Sequence, residues 1–354
     1  MSRFLSQRFA ALEAYTPGEQ PQDMQYVKLN TNESPFPPSP EVIASVNAAQ
    51  VARLNLYPDP TGRALKEKLA ALYGLAPENI FLSNGSDDIL NFTFMAFCDE
   101  SRPVAYPAIS YGFYPVYANL YRLPHTEIPL RENFRLEPED YCGLKQNIVI
   151  ANPNAPTGRA ISPADVERIL ASNPDHVVLI DEAYVDFGGE SCRKLIPQYD
   201  NLLVCQTFSK SRSMAGGRLG FAMGNAELIA DLEKIKYSTN PYNINRLTLI
   251  AAEAAVDSND YYVRNCRIIA ENRTYTVSAL AELGFETVPS VANFIFSRHP
   301  SLQGKELYIK LKKKGVLVRH WDKPEIADYV RITIGSREQM DTFLKRIREI
   351  LKEG

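Results

Sequence analysis

Residues 201–224 read NLLVCQTFSKSRSMAGGRLGFAMG. The segment opens on an apolar run, NLLVCQTF, stops at Ser209-Lys210, passes through small residues to Arg218, and returns to an apolar run, RLGFAMG. Apolar sequence without polar alternation is what a strand buried on both faces of a sheet requires. Most lysines elsewhere in the chain sit on charged helices, where they solvate a face. Lys210 instead stands at the end of a strand that excludes water, so this turn sets the question for the whole chain.

Runs of the same kind recur from about residue 60 onward: NIFLS, RPVAY, QNIVIA and HVVLIDEA, separated by helical patterns such as GRALKEKLAALYG and SPADVERILASN. Buried strands alternating with helices predict an α/β fold, with a mostly parallel sheet flanked by helices. Ligands collect beyond the carboxyl ends of such strands. The character changes after about residue 240. Two long helical stretches there lead into ANFIFS, GVLVR and YVRITIG, and the helix REQMDTFLKRIREILKEG closes the chain. The expected division is a large unit over residues 46–258 and a smaller α+β unit formed by 1–45 with 259–354. The Pro-rich NESPFPPSP is extended, because each proline disfavours helix in the residue before it, and it ties the N-terminal arm to the smaller unit.

Bulk properties narrow the function. With 354 residues, 45% hydrophobic and 23% charged, the chain has ample material for a core. A formal net charge of -3 gives no electrostatic reason to expect nucleic acid or a membrane surface as partner. No apolar run approaches the roughly 20 residues needed to span a bilayer, and the charge-interrupted start MSRFLSQRFAALEAY is not a signal peptide. Five scattered cysteines without a C-x-x-C pair read as reduced thiols of a cytoplasmic protein. The four dispersed histidines offer no metal-ligand set, so no metal is expected.

The strand ends carry an ordered set: Gly85-Ser86-Asp87, Tyr111, NPNAPTG (152–158), Asp181-Glu182-Ala183-Tyr184, Ser209-Lys210 and Arg218. Singly these are turn and cap residues; together they fit a site for pyridoxal phosphate. A lysine amine forms a Schiff base with the aldehyde, and the ring then draws electrons. That requires a protonated ring nitrogen, which a buried carboxylate, Asp181, would keep charged. Tyr184 would bring its hydroxyl to the phenolic oxygen, and Tyr111 would stack on the ring. Ser86 at a helix N-terminus, with Ser209 and Arg218, would take the phosphate, and Gly216 and Gly217 would let the backbone pass close by.

Nearly end to end, the chain resembles the histidinol-phosphate aminotransferase group of the fold-type I, pyridoxal-phosphate-dependent aminotransferases. The segments that carry the likeness are KLNTNESPFPPSP, LYPDPTGRALKEKLA, SNGSDDIL, PTG, DEAYVDF, TFSKSRSMAGGRLGF and VRITIG. The resemblance implies an aspartate-aminotransferase-like fold with Lys210 as the imine-forming lysine. It implies transfer of an amino group from histidinol phosphate to 2-oxoglutarate, giving imidazole acetol phosphate and glutamate, in histidine biosynthesis. The freed Lys210 would act as general base at the substrate's Cα. The likeness further implies that Arg331 and Arg319 anchor anionic substrate groups, that Tyr15 covers the substrate, and that Tyr57 reaches the cofactor phosphate of a partner subunit in a homodimer with a shared active site.

One position departs from the pattern. Where the family carries asparagine before Pro-Thr-Gly, this chain has Ala155, with Asn154 one residue earlier. Either Asn154 reaches the ring through a shifted loop, or Tyr184 carries the interaction with the phenolic oxygen alone. An aromatic aminotransferase and a decarboxylase of phosphorylated amino acids share the same cofactor shell. A nicotinamide-dependent oxidoreductase would need a G-x-G-x-x-G fingerprint that the sequence lacks.

Overall fold

The computed structural model of the chain describes residues 2–9 and 12–353, so Ala10 and Ala11 of the amphipathic start lie outside the described residues. An extended arm leads to a short strand β1 (Val27–Lys28) and helices α1 (Pro40–Ser45), α2 (Ala48–Val51) and α3 (Arg63–Tyr73). Gly74, in the left-handed conformation, stops α3. The large sheet follows as β2 (Ile80–Ser83), α4 (Ser86–Phe97), β3 (Val104–Pro107), α5 (Phe113–Tyr121), β4 (His125–Ile128), β5 (Asn147–Ala151), α6 (Pro163–Ser172), β6 (Val178–Asp181), β7 (Leu202–Thr207) and β8 (Gly220–Gly224). Helices α7 (Ala226–Thr239), α8 (Arg246–Asp257) and α9 (Asn259–Glu282) lead to β9 (Glu286–Val288) and β10 (Phe294–Arg298). The chain ends with α10 (Gly304–Lys313), β11 (Val316–Leu317), β12 (Arg319–His320), β13 (Val330–Thr333) and α11 (Arg337–Lys352).

Seven strands form one sheet in the order β2-β8-β7-β6-β5-β3-β4. The expectation of a mostly parallel sheet holds for every strand but β8, which runs antiparallel to both neighbours. The turn between β7 and β8 returns the chain beside β7 without a crossover helix, and a direct return of that kind yields an antiparallel pair. Both faces of the sheet are covered. Ile148, Ile150, Val178, Ile180 and Val204 enter one hydrophobic cluster with α3, α6 and α8. Val149, Leu179, Leu203 and Cys205 enter another with α4, α5 and α7. This period of two along uniformly apolar strands is what the sequence pattern encodes.

The second sheet has the order β12-β13-β10-β9 and is antiparallel throughout. Its apolar face packs on α9, α10 and α11 in a third cluster containing Ile295, Ile332, Phe343 and Ile347. GVLVR, read as one strand, divides after Leu317: β11 pairs with β1 on the N-terminal arm, while β12 pairs with β13. The arm also hydrogen-bonds to the small sheet and to the loop that precedes β10. Thr333 N–H donates to Leu29 O at 2.9 Å, and Asn293 Nδ2 donates to Asn32 O at 2.9 Å.

Candidate functional site

Beyond the carboxyl ends of β3, β6 and β7 lies a cavity of about 390 Å³. Its wall is built from both sheets: Asp181, Tyr184 and Lys210 from the large one, Arg319 and Arg331 from the small one, with Tyr15 on the arm. Lys210 follows β7 in a loop whose Ser211 hydroxyl donates to Asp186. Its Nζ donates to Thr31 O at 3.0 Å and lies 5.7 Å from the centre of the Tyr184 ring. Buried strand packing on one side and the arm carbonyl on the other hold this amine at the cavity.

Asp181 ends β6 and is buried. Burial raises its carboxyl to about 6, against bonds from Tyr114 Oη to Oδ2 (3.0 Å) and from Ala183 N–H to Oδ1 (3.2 Å) that favour the anion. A carboxylate desolvated to this degree invites a cation. Its neighbour Glu182 faces away from the cavity and is held by the Ser191 hydroxyl, Cys192 N–H and Gln206 Nε2. The alternation of a strand end thus separates the two acids. Tyr114 carried no signal of its own beyond standing one helical turn after Tyr111, where an aromatic reads as core.

At the opposite wall, α4 begins with Ser86 after Gly85 at φ 89°. Arg218 reaches across with Nη1 to Ser209 Oγ (3.4 Å) and Nη2 to Asp87 Oδ2 (3.2 Å), while Tyr111 Oη donates to Asp87 Oδ1 at 2.8 Å. A helix N-terminus, a hydroxyl and a guanidinium together form a cradle for a phosphate. Close approach is demanded at Gly85, where a Cβ would stand 2.7 Å from Arg218 Nη2, and at Gly220, where it would stand 2.6 Å from the Gly85 carbonyl carbon and Ser86 N. Gly216, given this role in the sequence, has nothing within 4 Å of such a Cβ, and at Gly217 the nearest atom is the flexible Met214 side chain.

The substrate side is aromatic and cationic. Arg331 donates to Asn30 O at 2.9 Å, leaves Nε without a partner, and lies over Phe294 and Trp321 at 5.3 Å from each ring centre. Burial lowers its affinity for a proton, and Tyr184 and Tyr15 oppose that shift. Arg319 places Nη1 and Nη2 each 3.0 Å from Pro17 O and Thr16 O, so its guanidinium grips the arm. That grip holds Tyr15, whose ring stacks on Phe113 at 4.2 Å.

Gly85, Asn154 and Tyr57, all in the sequence set, do not line the cavity; Gly85 stands behind Ser86. Asn154 spends its amide inside its own loop: Oδ1 accepts from Ser110 Oγ (2.7 Å), and Nδ2 donates to Ile109 O and Thr157 Oγ1 (3.0 Å each). A shifted loop therefore does not bring it into the cavity, where Ala155 lines the wall instead. Tyr57 is 77% exposed, its ring stacked on Tyr242 at 4.4 Å, on a surface outside the cavity wall.

The donor set fits pyridoxal phosphate: an amine, a buried carboxylate seeking a cation, and a phosphate cradle face one cavity. Comparison with known proteins points the same way. Residues 24–347 match the family model "Aminotransferase class I and II". A histidinol-phosphate aminotransferase from Brachyspira hyodysenteriae is 49% identical over 353 residues, spanning 99% of this chain and 100% of that protein. The fold is shared with a Sinorhizobium meliloti histidinol-phosphate aminotransferase solved in complex with pyridoxal-5'-phosphate (TM-score 0.81, 21% identity, 91% of each chain). It is shared equally with a tetra mutant of Thermus thermophilus aspartate aminotransferase (TM-score 0.83, 20% identity, 99% of this chain and 100% of that one). The chain belongs to the class I and II aminotransferase family.

Proposed function

We propose that this protein is a pyridoxal-phosphate-dependent aminotransferase that takes the amino group of histidinol phosphate and passes it to 2-oxoglutarate, in histidine biosynthesis. The observation that carries the reading is the shared cavity of Lys210 Nζ, the buried Asp181 carboxylate and the Arg331 guanidinium. The name of the Brachyspira relative supports the choice of substrate.

When bound, the cofactor supplies an aldehyde that holds the substrate amine and a ring that draws electrons from the neighbouring C–H bond. Ser86, Ser209 and Arg218 would hold its phosphate, with Gly85 and Asp87 shaping that cradle. Tyr111 would pack against its ring, and Asp181 would supply the negative charge that keeps the ring nitrogen protonated. Lys210 would be the base that takes the proton from the substrate's Cα. For this its Nζ leaves Thr31 O. Arg331 holds the anionic end of the substrate through a planar pair of donors, which suits phosphate and carboxylate alike. Arg319 secures the arm and offers a second cation, and Tyr15 with Trp321 excludes water. The 46–258 unit supplies the cofactor wall, and 1–45 with 259–354 supplies the substrate wall.

The protein acts as a cytoplasmic homodimer. Leu54, Leu56, Tyr57 and Tyr242 form an exposed apolar surface that a second copy would cover, bringing Tyr57 to the partner's cofactor phosphate. Free cysteines are in keeping with a reducing compartment. The test is a visible spectrum of the purified protein with histidinol phosphate, phenylalanine, tyrosine or phosphothreonine added. A band near 400 nm that histidinol phosphate bleaches fastest is expected. Faster bleaching by an aromatic amino acid, or carbon dioxide release from phosphothreonine, would replace the substrate assignment.

A further inference from the structure

Tyr184 is the polar side chain on the wall where Ala155 offers only a methyl group, and its hydroxyl is not free to turn. We infer that Asn32, on the N-terminal arm, is a positioning residue that aims the Tyr184 hydroxyl proton into the cavity. The inference rests on the pyridoxal phosphate reading above and adds a residue that acts through Tyr184.

Asn32 is fully buried and adopts φ 57°, a left-handed conformation that asparagine tolerates better than most residues. Its N–H donates to Thr333 Oγ1 at 3.0 Å, and Thr333 Oγ1 in turn donates to Asn32 Oδ1 at 3.0 Å. The threonine hydroxyl has one hydrogen, and its acceptor is the asparagine oxygen; that fixes which end of the amide is which. The remaining end, Nδ2, donates to Tyr184 Oη at 3.1 Å. Asn293 Nδ2 donates to the Asn32 carbonyl at 2.9 Å, so main chain and side chain are both pinned to the small sheet.

The consequence concerns one proton. A phenol has one hydrogen to give and lone pairs to receive with. Asn32 fills a lone pair and cannot accept, so the Tyr184 hydrogen must point to another partner. The ring itself cannot swing away. It stands edge-on to Phe294 at 4.9 Å and 86°, and packs with Ala155. The hydroxyl therefore presents its hydrogen to an acceptor in the cavity, and a bond received from Asn32 makes it a stronger donor. An anionic oxygen on the ring of the bound cofactor is such an acceptor.

Two variants at Asn32 separate aiming from mere support. Asn32→Asp keeps size and the bond from Thr333, but turns the contact with Tyr184 around, because a carboxylate accepts the phenol hydrogen and withdraws it from the cavity. For Asn32→Asp we expect the pH titration of the holoenzyme's visible band to move up by about one pH unit or more, and the cofactor affinity of the cofactor-free protein to fall by about tenfold or more. Asn32→Ala should move both by less, since the hydroxyl then turns freely. In a Tyr184→Phe background, Asn32→Ala should move the titration no further. Variants that only melt earlier while the band titrates at the wild-type pH, or an Asn32→Ala shift that persists without the Tyr184 hydroxyl, would overturn the inference. A wild-type protein that takes up no cofactor would overturn the underlying reading instead.

Discussion

Asp181 is buried at the cavity wall, and that burial pushes its carboxyl up to about 6 where 3.8 is ordinary. The folded, cofactor-free protein thus holds that proton more tightly than the unfolded chain does. Between pH 3.8 and about 6 it gains stability as pH falls, and above 6 the ionised group costs about 3 kcal/mol. Asp181→Asn removes this penalty. The variant is expected to be about 1–3 kcal/mol more stable than wild type in urea unfolding of the cofactor-free protein at pH 8, with the difference vanishing below pH 4. The same variant should lose nearly all turnover, because nothing then stands opposite a cationic ring nitrogen. At Arg331, half-buried with a buried and unpartnered Nε, replacement by Ala should lower kcat/KM by at least about 30-fold, roughly 2 kcal/mol, for donor and acceptor alike. Arg331→Lys should recover little, since an ammonium lacks the planar fork.

The crossing between the β7–β8 turn and the start of α4 is as tight as backbone permits. Gly220→Ala would drive a methyl to 2.6 Å from Ser86 N. We expect a loss of about 1–3 kcal/mol in urea unfolding and a marked loss of cofactor affinity, because the phosphate cradle begins at that nitrogen. Elements of this kind divide into those legible in sequence and those that are not. The buried strands β2, β3, β5, β6 and β7 announce themselves through apolar runs, and α6 and α11 through serine caps followed by amphipathic stretches. The edge strand β4, HTEI, has three exposed residues of four and reads as loop. The direction of β8 is set by a turn without a crossover, which apolar patterning does not encode. Lys210, Asp181 and Arg218 were legible as candidates because each ends or flanks a buried strand. Tyr114 and Asn32 were not, since their role depends on which face of a helix or arm meets a strand hundreds of residues away or an unrelated element. The backbone contact at Gly220 was not legible for the same reason: close approach is a property of two chain segments, not of one.

At the scale of the whole molecule, the cavity takes one wall from each sheet, and the arm, pinned by Arg319 and Asn32, lines it with Tyr15. The proposed homodimer adds Tyr57. If that tyrosine serves the partner's site, co-expressing Lys210→Ala and Tyr57→Ala chains should restore one intact site in each mixed dimer. Random pairing then gives about a quarter of wild-type activity, although each variant alone is nearly inactive. A mixture with no more activity than its parents would confine Tyr57 to its own chain's surface. The account as a whole rests on the amine of Lys210 holding the cofactor. Borohydride reduction of the yellow protein followed by peptide mapping tests this most directly. A pyridoxyl group on the peptide that contains Lys210, and its loss in Lys210→Ala, is the predicted result; a label on another lysine, or none, would contradict it.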